Sequence, residues 1–250
     1  MVTPASCIKL TWEGDVEAEI RRRVLERRYA VHDGMEVTNE TTEEDVVDRP
    51  FMVGVIGIPG SGKSTSTSIL TGLLRDLGSM LMPFDGYHHT KEALQGFPDP
   101  KDALYRRGAP DTFDVERLKD DLDSIKYGND PVVNIPDWDH AVADPRPHAY
   151  AFERRNHRVV ICEGLYLLHD DDGWESINDY FDMTIFVNAN VDVCVDRLKV
   201  RNKCIPGYTP EEIEIRCDKV DRANAMTVMR SQERATLIVE SAAAIPIPLQ

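Results

Sequence analysis

The 250-residue sequence predicts an α/β fold built on a parallel sheet, and three observations predict it. Short apolar runs at residues 51–56, 80–84, 158–162, 183–187 and 237–239 suit strands covered on both faces. Stretches with apolar residues at helical spacing alternate with these runs, as parallel strands require. The first run also leads into a glycine-rich turn that opens an amphipathic helix.

Taken in order, residues 15–31 read as a polar helix. Glu17–Arg21 and Glu19–Arg23 are acid-before-base pairs one turn apart, and Ile20, Val24 and Leu25 make a narrow apolar stripe. The arginines at 21–23 and 27–28 form either an anion-binding patch or, favoured by the interleaved acids, a solvated helix face. Residues 39–48 are acidic and polar and read as a linker or short capped helix, so the expected division is an extension over 1–49 and a main domain over 50–250. After the strand at 51–56, Ile69, Leu70, Leu73, Leu74 and Leu77 give a helix that Gly78 ends. The run at 80–84 is a weaker strand. Val115, Leu118, Leu122 and Ile125 mark a helix capped by Asp111 or Thr112. Two more core strands follow at 158–162 and 183–187. Thr209-Pro210-Glu211-Glu212 has a capping residue, a proline at the first helical position and a glutamate closing the box, so a helix starts there.

Composition narrows the function. The chain carries 29 Lys+Arg against 44 Asp+Glu, a net charge of −15, which argues against a nucleic-acid partner because a phosphate backbone would meet a repulsive field. No apolar run reaches the roughly 20 residues of a bilayer crossing, and no signal segment is visible, so no membrane partner is expected. The five cysteines, Cys7, Cys162, Cys194, Cys204 and Cys217, are odd in number and form no C-x-x-C pair; a reducing, cytoplasmic setting fits them, with Cys162 a buried small hydrophobe.

Gly57-Ile58-Pro59-Gly60-Ser61-Gly62-Lys63-Ser64 matches G-x-x-x-x-G-K-[ST] in full. Glycines let backbone N–H groups converge on phosphate oxygens, and the following helix presents its positive end to the same anion. Gly57, Gly60, Ser61, Gly62, Lys63, Ser64 and Thr65 are therefore the expected nucleotide-binding set. Lys63 would neutralise the β- and γ-phosphates, and the Ser64 hydroxyl would ligate Mg²⁺. The expected ligand is ATP with Mg²⁺. No complete N-K-x-D guanine signature occurs, since Asn202-Lys203-Cys204-Ile205 lacks the aspartate. Phosphoryl transfer to an alcohol also needs a base at the acceptor and an acid for the metal, and Asp85 and Glu163 follow strands on the rim where ligands bind in such sheets. Either acid could instead cap a turn.

Phe84-Asp85-Gly86-Tyr87-His88 resembles the D-G-F-H segment of bacterial-type pantothenate kinases, members of the P-loop group that also holds uridine kinases and phosphoribulokinase. The likeness continues through the turn at residues 107–114, Ile135-Pro136-Asp137-Trp138-Asp139-His140, Glu163-Gly164-Leu165 and Gln232-Glu233-Arg234-Ala235-Thr236-Leu237-Ile238, in that order. It is at least as close to uncharacterised and sugar-kinase-like relatives sharing D-G-[FY]-H and G-A-P-x-T-F-D. The resemblance implies a nucleoside-kinase-like P-loop NTPase fold, a three-layer α/β/α sandwich with a parallel sheet and a small lid at 201–209. It implies an ATP-dependent phosphotransferase acting on a hydroxyl of a small soluble metabolite of pantothenate, nucleoside or sugar type. In those relatives' pattern Asp85 would be the base at the attacking hydroxyl, with Lys63 and Arg201 the other catalytic groups. Glu163 would hold Mg²⁺ through water, and Arg197 and Arg201 would close over the triphosphate. Asn202 stands where the group has an aspartate after the lid arginine, and the alternative for both arginines is a solvated face beside Asp192 and Asp196. Tyr87, His88, Arg107, Asp139, His140 and Asn224 are the implied acceptor residues, and a homodimer is among the assemblies the group implies. A non-catalytic ATP-binding regulator and a switch-type hydrolase are the competing readings.

Overall fold

The computed structural model describes residues 11–33, 49–139, 141–204 and 208–241. In chain order these form α1 (Glu17–Asp33), β1 (Phe51–Gly57), α2 (Lys63–Leu73), β2 (Ser79–Pro83), α3 (Lys91–Leu94), α4 (Pro100–Tyr105), α5 (Val115–Lys126), β3 (Val132–Asp139), β4 (Asp144–Glu153), β5 (Val159–Gly164), β6 (Met183–Asn188), α6 (Val191–Arg201), α7 (Pro210–Arg216), α8 (Arg222–Met229) and β7 (Leu237–Glu240). The five expected core strands are present and make one sheet in the order β2-β5-β1-β6-β7, with every neighbouring pair parallel.

Strand side chains alternate between two cores, which is why the runs read as uniformly apolar. Met52 and Ile56 of β1 face a cluster with Leu118, Leu122 and Ile125 of α5 and Val228 of α8. Val53 and Val55 face the opposite cluster, with Leu70 and Leu74 at α2 and Val16, Ile20 and Val24 at α1. Two helical layers thus sandwich the sheet.

Helix α1 is fixed to this second face by charge as well as apolar contact. Arg21 pairs with Glu17 at 2.8 Å and Asp76 at 2.7 Å, and Arg27 reaches Asp182 at 3.1 Å. Arg22 and Arg23 are engaged with Glu19, so these four arginines form an ionic face and not an open anion patch. Leu25, expected in the apolar stripe, is 47% exposed instead, because the buried stripe runs through Val16, Ile20 and Val24, which follow one another four residues apart on one helix face.

Other departures are local. The expected cap of α5 moves to Asp114, whose Oδ1 accepts from the Arg117 N–H at 3.1 Å. Asp111 pairs with Arg106, and the buried Thr112 hydroxyl donates to the Ala109 carbonyl at 2.7 Å. The antiparallel β3–β4 hairpin was not anticipated from the sequence. Its β4 strand, Asp144–Glu153, is mostly exposed and carries two prolines, so it lacks the apolar signature of the sheet strands. Thr209 caps α7 as expected, accepting from Glu212 N–H at 3.2 Å while the Glu212 carboxylate accepts from Thr209 N–H at 2.8 Å. Among the described residues no helix is long and apolar enough to cross a membrane.

Candidate active site

The turn between β1 and α2 places backbone donors where side chains would obstruct them. Gly60 and Gly62 adopt φ of 81° and 90°, a region other residues enter only with strain. A Cβ on Gly60 would also lie 2.8 Å from the Cys194 carbonyl oxygen of α6, so the loop can press against that helix only as glycine. Among the described residues no side chain caps α2, which leaves its first-turn N–H groups open toward the mouth of the loop. The Ser61 hydroxyl is buried and, among the described residues, has no hydrogen-bond partner. Thr65 is exposed at the start of the helix.

Sheet register brings the acids to this loop. Glu163, next to last in β5, stands beside Val55 of β1 on one side and Pro83 of β2 on the other. Its Oε1 accepts from the Ser64 hydroxyl at 2.8 Å, its Oε2 lies 3.2 Å from the Thr67 hydroxyl, and Lys63 Nζ sits 3.9 Å away. Asp85 follows β2 in a 3₁₀ turn, Phe84–Tyr87. Its side chain is exposed, and its charge is felt at Lys63. Burial pulls the Lys63 pKa down; Glu163 and then Asp85 oppose that shift, and Arg201 adds to it. An amine held this way gains from an arriving polyanion. Arg197 donates to the Gly60 carbonyl at 3.2 Å, so one expected lid arginine already touches the loop. Arg201 is exposed and donates to the neighbouring Asn202 side chain at 3.2 Å, and the expected lid continues into residues 205–207, which lie outside the described residues.

The donor set suits the expected ligands. Glycine-lined amides and a lysine match phosphate oxygens, and a hydroxyl with a carboxylate supplies the hard oxygens Mg²⁺ prefers. Among the described residues no group of three or more His, Cys, Asp or Glu comes together, so an ion held by Ser64 and Glu163 would complete its shell with phosphate oxygens and water.

On the acceptor side the expected residues divide. His88 packs between Phe113 and Trp138, with ring centroids 3.9 and 4.7 Å away, and its Nδ1 lies 2.8 Å from the Asp85 carbonyl. A carbonyl only accepts, so Nδ1 carries the proton and neutral His88 leaves Nε2 as an acceptor. Burial lowers the His88 pKa, and Arg107 and Arg216 act the same way against the raising effect of Asp85. A pocket of about 100 Å³ adjoins this loop, lined by Gly86, His88, His89, Thr90 and Arg117 among others. It has room for a few atoms of a metabolite. Asn224 is 6% exposed and lies close to Gly108, near the Arg107 backbone.

Tyr87, which also lines this pocket, and Arg107 are both engaged in structural contacts. Tyr87 is buried and turned into the core, where its hydroxyl donates to Asp121 at 2.8 Å. Arg107 donates to the His89 carbonyl at 2.6 Å and the Ala143 carbonyl at 2.8 Å, pairs with Asp144, and lies 4.8 Å from the Trp138 ring centre. It fastens the β3–β4 hairpin to the Asp85 loop. Asp139 accepts from Ala141 N–H at 2.8 Å at the hairpin tip, and His140 lies outside the described residues.

Sequence reasoning passed over Asp221 and Arg216. Arg216 Nη2 donates to the Arg107 carbonyl at 2.8 Å and Nη1 sits 3.5 Å from Asp221, whose carboxylate is largely buried. Burial raises the Asp221 pKa, with Arg216 opposing.

Residues 52–247 match the Phosphoribulokinase / Uridine kinase family. The uncharacterised protein YggC of Escherichia coli K12 is 31% identical over 196 residues, covering 77% of this chain and 78% of that one. A pantothenate kinase of Streptococcus mutans is 30% identical over 155 residues, 60% of this chain and 48% of the enzyme. A crystal structure described as a "putative fructose transport system kinase" from Silicibacter sp. TM1040 superposes with a TM-score of 0.71 at 27% identity, covering 92% of this chain and 98% of that one.

Proposed function

The chain belongs to the phosphoribulokinase and uridine kinase family, and on that premise we propose that it transfers the γ-phosphoryl group of ATP to a hydroxyl of a small metabolite. The observation that carries this reading is the strand register that sets Glu163 between the phosphate loop and the Asp85 turn. Backbone amides of the loop and Lys63 hold the phosphates, while Arg197 and Arg201 reach the same anion from α6. Mg²⁺, held by Ser64 and Glu163, would spread the charge that develops on the transferring group. Asp85, exposed beside the loop, takes the proton from the acceptor hydroxyl as that oxygen attacks phosphorus and the bond to ADP breaks. His88, through Nε2, and Asn224 orient the rest of the acceptor. Most of the rate then comes from positioning and charge neutralisation.

The acceptor class stays at a metabolite alcohol of pantothenate, nucleoside or sugar type. The relatives carry names from all these directions, and the residues near Asp85 accept as well as donate hydrogen bonds. Incubation with ATP, Mg²⁺ and a mixture of pantothenate, uridine, fructose and glycerate tests the reading. ADP release that depends on the mixture supports it. Tight ATP binding with no such release would favour a regulator, and phosphate release without any acceptor would favour a hydrolase.

A further inference from the structure

Thr67 lies one turn beyond Lys63 on α2 and is fully buried. Its hydroxyl oxygen lies 3.0 Å from the Lys63 carbonyl, 3.1 Å from the Ser64 carbonyl and 3.2 Å from Glu163 Oε2. A hydroxyl has one proton, so it serves one of these three acceptors at a time. The carbonyls offer the ordinary back-bond of a helical threonine. The carboxylate offers a charge-assisted bond, the stronger kind, in a place where little water competes. With Ser64 on Oε1 and Thr67 on Oε2, both oxygens of Glu163 are held from the same helix.

We propose that Thr67 is a positioning residue that fixes the rotation of the Glu163 carboxylate and so prepares it to hold a divalent cation beside Ser64. The inference rests on the proposed role of Ser64 and Glu163 as the metal-holding pair. The held carboxylate stays 3.9 Å from Lys63 Nζ. Released from Thr67, it is free to turn into a direct ion pair with the lysine, which would draw both groups away from the cation and the phosphates. Neighbours that orient a metal-holding side chain typically matter about 10- to 100-fold in metal affinity.

The test uses the full-length protein loaded with ADP, Mn²⁺ as the probe, and electron paramagnetic resonance to count free ion. Thr67→Val keeps the side-chain shape and removes the hydroxyl; Thr67→Ser keeps the hydroxyl. The expected result is Mn²⁺ affinity about tenfold weaker in T67V, recovery to within threefold in T67S, and ADP affinity in EDTA unchanged within twofold in both. Unchanged Mn²⁺ affinity in T67V would overturn the inference, as would an equal loss of metal-free ADP affinity, since the hydroxyl would then be serving the loop backbone. Glu163→Gln separates the two levels. If E163Q also leaves Mn²⁺ affinity untouched, the metal role of Glu163 fails; if E163Q weakens it and T67V does not, only the role of Thr67 fails. Thr67→Ala takes the place of T67V if the valine does not melt cooperatively.

Discussion

Replacing Asp85 by asparagine separates chemistry from folding and from nucleotide binding. The Asp85 side chain is exposed, and among the described residues its carboxylate makes no hydrogen bond or ion pair. The near-isosteric amide removes no packed group, so stability should stay within about 0.5 kcal/mol. For a chain of this size that is a melting shift of about 2 °C or less. If Asp85 is the base proposed above, its loss costs about 10²- to 10⁴-fold in transfer rate, or about 3–5 kcal/mol of barrier. ATP binding should hold or tighten slightly, because one negative charge that acts on Lys63 disappears from the neighbourhood of the phosphates. The assay is ADP release with an accepted alcohol, paired with calorimetric ATP affinity and a thermal melt of the same preparation. Turnover within tenfold of wild type, with unchanged ATP affinity, would remove Asp85 from the mechanism. A large fall in melting temperature would mean that the side chain serves the fold.

Three further outcomes follow from the packing and the charges. Gly60→Ala must hold φ near 81° with its methyl 2.8 Å from the Cys194 carbonyl oxygen, at a cost of at least about 1–2 kcal/mol, so nucleotide affinity should fall tenfold or more by calorimetry. Ile20→Ala opens space under α1 and should cost about 2–4 kcal/mol by denaturant melting, whereas Leu25→Ala, on the exposed face, should stay within about 0.5 kcal/mol. His157 Nδ1 accepts from the Glu153 N–H at 2.8 Å, and burial lowers its pKa. A folded-state pKa below the unfolded one gives stability that is present above pH 6.5 and is lost as pH falls through the lower folded value. The stability advantage of wild type over His157→Gln should therefore shrink on acidification, and a constant difference from pH 7 to pH 5 would refute the assignment.

Much of the candidate site was legible because its chemistry is local. The phosphate loop is eight consecutive residues between a strand and a helix, and Glu163 sits at the end of an apolar run whose direction in the sheet follows from the alternation of elements. The expected acceptor side was less legible because its residues come from separate segments of the chain. Tyr87 and His88 are chain neighbours, yet the Tyr87 hydroxyl donates to Asp121 of α5 while the His88 ring stacks on Phe113. Arg107 reads like a substrate cation, and the hairpin it fastens gave no apolar pattern to announce it.

The sequence by itself determined the parallel sheet, the phosphate loop, the order of the core strands along the chain and the capping of α7, because each depends on residues within a few positions of one another. Only the tertiary structure decided which arginines are spent on structure, which aromatic neighbours hold His88, and how Thr67 meets Glu163 across 96 residues of chain. The physical reason is that hydrogen-bond partners are chosen by distance in space, and a burial pattern along one segment carries no record of what another segment brings to it.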